Sequence, residues 1–233
     1  MKISLLLTIL LLTLNSSILS AQKKKEYYDS GELQLVYKLK NEKKHGSYKF
    51  YYKNGQLGRE LKYVNGKEEG ESIAYFENGI VRSKGNFIKG KKDGNWVKYY
   101  ENGQIKEKVN YNSTEGSVFW SPEHGMYYEY FENGKLKKTG KYVNGQEEGI
   151  WKVYAINEYN KNYYLLNRIE YSKGEFLRYE MYRSDGKMNG YNLYENGERT
   201  KSIKHGYYAI IEEGVHVGDE VYEEDELVKT IMF

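Results

Sequence analysis

The stretch HGMYYEYFENGKLKKTGKYVNGQEEG, His124 to Gly149, decides the fold, because the chain writes nearly the same thing twice more. HGSYKFYYKNGQLGRELKYVNGKEEG begins at His45, and DGNWVKYYENGQIKEK begins at Asp93. Recurrence at a fixed period marks a repeat architecture, and the period comes from the glycines. Gly31, Gly55, Gly79 and Gly103 lie 24 residues apart, and Gly134 follows after 31, the seven extra residues falling within TEGSVFWSPEHG. A second series, Gly46, Gly70 and Gly94, keeps the same spacing and resumes at Gly125 and Gly149. Two interlocked glycine series with one period predict two turns per repeat, hence one hairpin per repeat.

The arms between the glycines are patterned as strands. Asn-Gly between two such arms is a hairpin signal, and the pairs Asn54-Gly55, Asn78-Gly79, Asn102-Gly103 and Asn133-Gly134 predict type I′ turns with positive φ at both positions. After the turn, Leu57, Leu61 and Tyr63, or Ile105, Val109 and Tyr111, or Leu136, Gly140 and Tyr142, alternate with Lys, Glu, Arg or Asn. Such period-two alternation describes a strand with one buried face. Before the turn, Tyr51, Tyr75, Tyr99, Tyr130 and Tyr154 stand five residues after the repeat glycine, and Tyr48, Ser72, Trp96, Tyr127 and Trp151 stand two after it, on the other face. A lone hairpin cannot bury its apolar face, so the units are expected to lie side by side. Each should widen the sheet by roughly 9–10 Å. The expected fold is all-β: an elongated, twisted antiparallel β-meander of tandem 24-residue hairpins.

Composition agrees. The 233 residues hold 27 tyrosines, 24 glycines, one proline (Pro122) and no cysteine. Tyrosine suits half-buried pleated surfaces and glycine suits turns. The first residues, MKISLLLTILLLTLNSSILSAQ, have Lys2, an apolar run from Ile3 to Leu12 and a small residue at Ala21. That layout predicts a secretory signal peptide over 1–21, its apolar run being shorter than the roughly 20 residues that span a bilayer. The expected location is exported: periplasmic, envelope-associated or secreted. Removing 1–21 leaves 35 basic and 33 acidic residues, and so near-neutral a balance argues against nucleic acid as a partner. Regular hairpin repeats are expected over 22–154, with an insertion near 112–123. Beyond that, NEYNKNYYLLN (157–167) is a polar, tyrosine-rich insertion, and 155–233 holds degenerate hairpins continuing the same sheet to a closing strand, EVYEEDELVKTIMF.

The units YYENGQIKEKVNY and YFENGKLKKTGKYVNGQEEG resemble MORN-variant repeats, the kind found in bacterial proteins called YwqK-family antitoxins. The resemblance extends over roughly 28–154, and more faintly over 186–222. It implies an elongated antiparallel sheet, no catalysis, and contacts with proteins or membrane surfaces.

The residues themselves point away from chemistry. His45, His124 and His205 each precede a glycine, and the first two fill a slot occupied by Glu69, Asp93 and Glu148 in sister repeats. Displaced along a sheet, they would not converge on one ion, so no metal and no cofactor are expected. Glu68-Glu69 and Glu147-Glu148 fall at repeat turns, where nothing raises a carboxyl pKa for general acid–base work. No nucleophile motif or phosphate loop occurs. What remains is surface. Phe119 and Trp120, in the insertion, either fold back on a sheet face or form an aromatic contact tip. The ring column of Trp96, Tyr127 and Trp151 is either core or a binding ladder. The expected function is a non-catalytic exported scaffold that binds a protein partner through a sheet face, edge or inserted loop. The alternatives are a cell-wall or glycan-binding module, and an antitoxin or immunity protein of a toxin pair.

Overall fold

The computed structural model describes residues 21–115, 122–157, 159–185, 187–195, 198–204, 206–212, 215–223 and 226–232. The signal segment expected over 1–21 lies outside them apart from Ala21, as do Phe119 and Trp120. Among the described residues every regular element is a strand. They fall into two compact units, one ending at Gly103 and the other beginning at Gln104.

The first unit comprises β1 (Gln22–Tyr27), β2 (Leu33–Lys40), β3 (Lys43–Tyr51), β4 (Leu57–Val64), β5 (Lys67–Tyr75), β6 (Val81–Ile88) and β7 (Lys91–Tyr99). Each strand pairs antiparallel with the next in sequence. In the second unit β8 (Ile105–Tyr111), β9 (Gly125–Tyr130), β10 (Leu136–Val143), β11 (Gln146–Ile156), β12 (Tyr163–Ser172), β13 (Glu175–Tyr182), β14 (Met188–Glu195) and β15 (Glu198–Lys204) do the same. The antiparallel meander read from the repeats is therefore the fold.

Three features depart from the sequence reading. First, the Asn-Gly turns are of another type. Gly55 N–H donates to Tyr52 O (3.0 Å) and Tyr52 N–H to Gln56 O (2.9 Å), while only the glycine takes positive φ, +81°. That is a type I turn closed by a glycine bulge, which needs one left-handed residue rather than two. The same bonds recur at Gly79 and Gly134. The asparagine acts through its side chain: Asn54 Oδ1 accepts from Gln56 N–H, and its Nδ2 donates to Glu77 O in the next repeat.

Second, Gly46, Gly70, Gly94 and Gly149 are not turns but lie inside strands. Between the pairs Glu60↔Ile73 and Lys62↔Glu69, the residues Gly70, Glu71 and Ser72 stand against Leu61 alone. The glycine's positive φ (+78° at Gly70) absorbs this bulge, which bends and twists the strand. The type I′ turns sit four residues earlier, at Asn65-Gly66, Lys89-Gly90 and Asn144-Gly145, with both φ positive. These turns are stitched to the preceding repeat. The N–H groups of Gly66, Gly90 and Gly145 donate to the carbonyls of Lys44, Glu68 and Glu123. The polar slot before the bulge glycine completes the stitch, since Glu69 Oε2 accepts from Lys89 N–H at 2.8 Å and Glu148 Oε2 from Lys173 N–H at 2.8 Å. His124 occupies this slot too, with Nδ1 3.3 Å from Asn144 Oδ1.

Third, the C-terminal region is more regular than its sequence implied, and then breaks. The connection is closed by Asn157 N–H to Asn162 O (2.8 Å), and YYLLN belongs to β12. But β16 (Gly206–Glu212), β17 (Val215–Glu223) and β18 (Glu226–Met232) form a separate three-stranded sheet, so the expected single sheet to the C-terminus ends at β15. The insertion near 112–123 leaves the meander intact. Tyr111 bridges to Glu123, Asn112 N–H reaches Pro122 O, and Pro122 is fully buried at its base.

Candidate interaction surface

A single-layer sheet has two faces, and here they differ in how completely they are covered. The first face holds most of the buried residues, Glu180 in the second unit being buried on the other. In the first unit Leu61, Ser72, Ala74, Phe87 and Trp96 are buried, with Arg59 laid across them: its Nε donates to Ser72 Oγ and its guanidinium sits 2.9 Å from Glu68 Oε1. In the second unit Trp151, Ile169 and Tyr171 form the core, with Tyr127, Tyr142, Val153 and Tyr179 packed around them.

Size complementarity across strands makes this face dense without a second layer. A Cβ on Gly85 would stand 2.2 Å from Trp96 Cδ2, and one on Gly140 would stand 2.0 Å from Trp151 Cδ2. Each indole therefore lies flat on the backbone of the facing glycine, the aromatic rescue of a glycine in a sheet. Where the facing residue is Leu61, the ring position is the small Ser72. Lysines close the outer side: Lys92 Nζ lies 4.8 Å from the centre of Trp96, and Lys138 Nζ 4.5 Å from that of Trp151. Lys44 reaches Tyr37, Tyr48 and Tyr63 together.

Trp151 has no exposed surface and Trp96 keeps 6 %. The structure thus places both in the packed face, where a ligand could reach them only by displacing the lysine above. Tyr127 is half-buried in the same cluster, 5.6 Å from Trp151 and 5.8 Å from Tyr142 between ring centres. Burial, with Glu107 and Glu129 nearby, raises the Tyr127 phenol far above its ordinary value. Burial likewise pushes Tyr142 up to about 12, with Glu147 and Glu123 adding, and Tyr111 up to about 12, with Glu123 and Glu107 adding. These phenols stay neutral hydrogen-bonding groups at any physiological pH, so none supplies a tyrosinate base. Among the described residues no group of three or more His, Cys, Asp or Glu side chains could hold a metal ion.

The second face is open. Tyr51, Tyr75 and Tyr99 in the first unit, and Tyr130 and Tyr154 in the second, stand half-buried on alternate strands. Between them run charged side chains. Glu60 accepts from Tyr75 Oη (3.1 Å) and pairs with Lys49 (3.4 Å), Lys84 reaches towards Tyr99, and Lys108 towards Tyr130. Tyr154 stacks on Tyr163, with planes 13° apart and centres 5.2 Å apart. By strand alternation Met126 and Ile150 share this face in the second unit, and they are 48 % and 45 % exposed. Beside Glu60, Lys62 and Glu71 lies a shallow recess of about 330 Å³. The sequence reading missed Met126 and Ile150, although their place in the repeat, one residue after the bulge glycine, marks them as neighbours of Tyr128 and Lys152 on this face.

In each unit the geometry defines the same class: tandem β-hairpin repeats with one covered and one open face. The comparison with known families is consistent with that class. Residues 44–65, 68–89, 92–113 and 123–144 each match the MORN repeat variant, so the chain carries four tandem MORN-variant repeats. Their boundaries run from the end of one bulge stitch to the next, and the 31-residue step to the fourth copy is the insertion after Tyr111. No curated protein matches the chain.

Proposed function

We propose that the chain is a non-catalytic, exported repeat scaffold that holds a protein partner against its open face. The observation that carries this reading is the contrast between the two faces. In each unit one face is sealed by Gly–Trp pairing and lysine lids, while the other presents half-buried tyrosines, joined in the second unit by exposed Met126 and Ile150. Tyrosine offers large amphipathic contact area at small entropic cost, and charged groups beside it confer specificity rather than bulk affinity. The tyrosine hydroxyl of Tyr75 is already engaged by Glu60 and the phenols of the packed face are held neutral. Export, with cleavage after Ala21, is part of the proposal and rests on the layout of the first residues.

The test is affinity capture from native envelope extract with wild-type protein and with Met126→Glu/Ile150→Glu. Both side chains are exposed, so the melting temperature should stay within about 2 °C, while the captured protein should be lost. Equal capture by the variant overturns the reading. Retention on purified wall polysaccharide, abolished by the same pair, would favour a glycan ligand instead.

A further inference from the structure

At the outer end of the first unit the open face changes character. Lys23 and Lys25 on β1, Lys38 on β2 and Lys49 on β3 line a trough of about 440 Å³ together with Val36 and Tyr51. The register explains the convergence. Lys23 pairs with Lys38, Lys25 with Val36, and Val36 with Lys49, so strand pairing gathers onto one face four cations that the sequence spreads over 27 residues. Lys49 alone has a carboxylate partner, Glu60 at 3.4 Å. Lys23, Lys25 and Lys38 have none among the described residues.

This trough adjoins an unpaired edge. Among the described residues β1 hydrogen-bonds only to β2, leaving its outer N–H and C=O groups without a strand. An edge strand rich in lysine repels basic strands and would have to desolvate its charges to pair with apolar ones, which is the usual protection against edge-to-edge aggregation. The same row is complementary to one kind of partner. Same-face side chains two apart on a strand are separated by roughly 6.5–7 Å, so carboxylates at alternate positions of an added strand match Lys23 and Lys25 in pitch. Apolar side chains between the carboxylates would face the opposite side, near Tyr37, whose hydroxyl is held by Glu26 at 2.6 Å.

We propose that the free edge of β1 and the trough of Lys23, Lys25, Lys38 and Lys49 bind an extended acidic polypeptide segment by strand addition. Main-chain bonds supply affinity and the lysine row supplies selection. The site shares Tyr51 with the open face but uses neither Met126 nor Ile150, so the variants that test the two proposals are different and their failures are distinguishable.

The experiment uses full-length mature protein and a fluorescent eight-residue peptide alternating glutamate and valine, followed by anisotropy. Binding should weaken about tenfold when ionic strength rises from about 0.05 to 0.5 M, because the trough is solvent-exposed and screened. Lys23→Glu/Lys25→Glu should abolish it, and Lys38→Glu should weaken it about tenfold, with melting temperatures unchanged. A peptide N-methylated on one edge should lose binding, since it cannot extend the sheet. Three results would each overturn the proposal: no binding by wild type, undiminished binding by the double variant, or equal binding of the N-methylated peptide. Inorganic polyphosphate bound as tightly as the peptide would also overturn it, by assigning the trough to any polyanion.

Discussion

Adding one methyl group at Gly140 tests the packing of the covered face most directly. The new Cβ would stand 2.0 Å from Trp151 Cδ2 and 2.3 Å from Cε2, where carbon atoms pack at about 3.5–4.0 Å. The indole must therefore retreat by about 1.5 Å. It has nowhere to go: Tyr142 is 4.8 Å away between ring centres, Tyr127 5.6 Å, and Lys138 lies over the free side at 4.5 Å. Overpacking of this kind costs about 1–3 kcal/mol. Gly140 sits in extended backbone, where alanine would otherwise gain about 0.5–1 kcal/mol. Gly140→Ala should thus lose about 1–2 kcal/mol, or roughly 2–8 °C in melting temperature for a chain of this size. The decisive measurement is the cycle with Trp151→Ala. That change alone should cost about 3–5 kcal/mol, and in its background Gly140→Ala should become neutral or stabilising. Repeat arrays need not unfold as one unit, so hydrogen exchange of β10 and β11 amides should accompany the melt. Equal losses in both backgrounds would mean the indole does not rest on the glycine, and the account of how one sheet layer seals a face would fail.

Other expectations follow from single residues. Asn41-Glu42 forms a type I′ turn with φ of 50° and 61° but lacks the glycine of its sister turns; Glu42→Gly should stabilise by about 0.5–1 kcal/mol, seen as a higher melting temperature. Gly70→Ala should destabilise by about 1–2 kcal/mol through backbone strain alone, because nothing lies within 4 Å of the added Cβ and its φ is +78°; an unchanged melt would argue against the bulge. Glu180 is buried and receives Arg168 at 3.0 Å and Arg178 at 2.7 Å, so Glu180→Ala should cost about 2–3 kcal/mol in chemical denaturation, less than a fully buried pair because 27 % and 33 % of the two arginine side chains remain exposed. The raised phenols of Tyr111 and Tyr142 make the folded state hold protons that the unfolded chain releases near pH 10. Stability should therefore be full below about pH 10 and fall as pH rises towards about 12, with a late tyrosinate titration that moves back to about pH 10 on unfolding.

How far the fold was legible depends on what a glycine can report. Two glycine series of one period announced hairpins, and hairpins are present. Yet a type I′ turn, a type I turn with its bulge, and a bulge within a strand all require a left-handed residue, so the glycines alone could not say which was which. The distinguishing mark was the pair at Asn65-Gly66, Lys89-Gly90 and Asn144-Gly145, four residues before the bulge. The covered face was also written in the sequence, at a spacing of 11: Leu61 with Ser72, Gly85 with Trp96, Gly140 with Trp151. Large faces small in each, which is the rule for packing one layer. Alternation alone puts aromatic rings on both faces and cannot tell a sealed ring from an open one. The difference lies in the facing residue, since a glycine lets an indole lie down and a longer side chain does not. The trough was hidden for another reason. Net charge near neutrality conceals a local excess, and Lys23, Lys25, Lys38 and Lys49 become neighbours only once the register of β1, β2 and β3 is set. A repeat sheet therefore discloses its period first, its packing second, and its binding surfaces only through register.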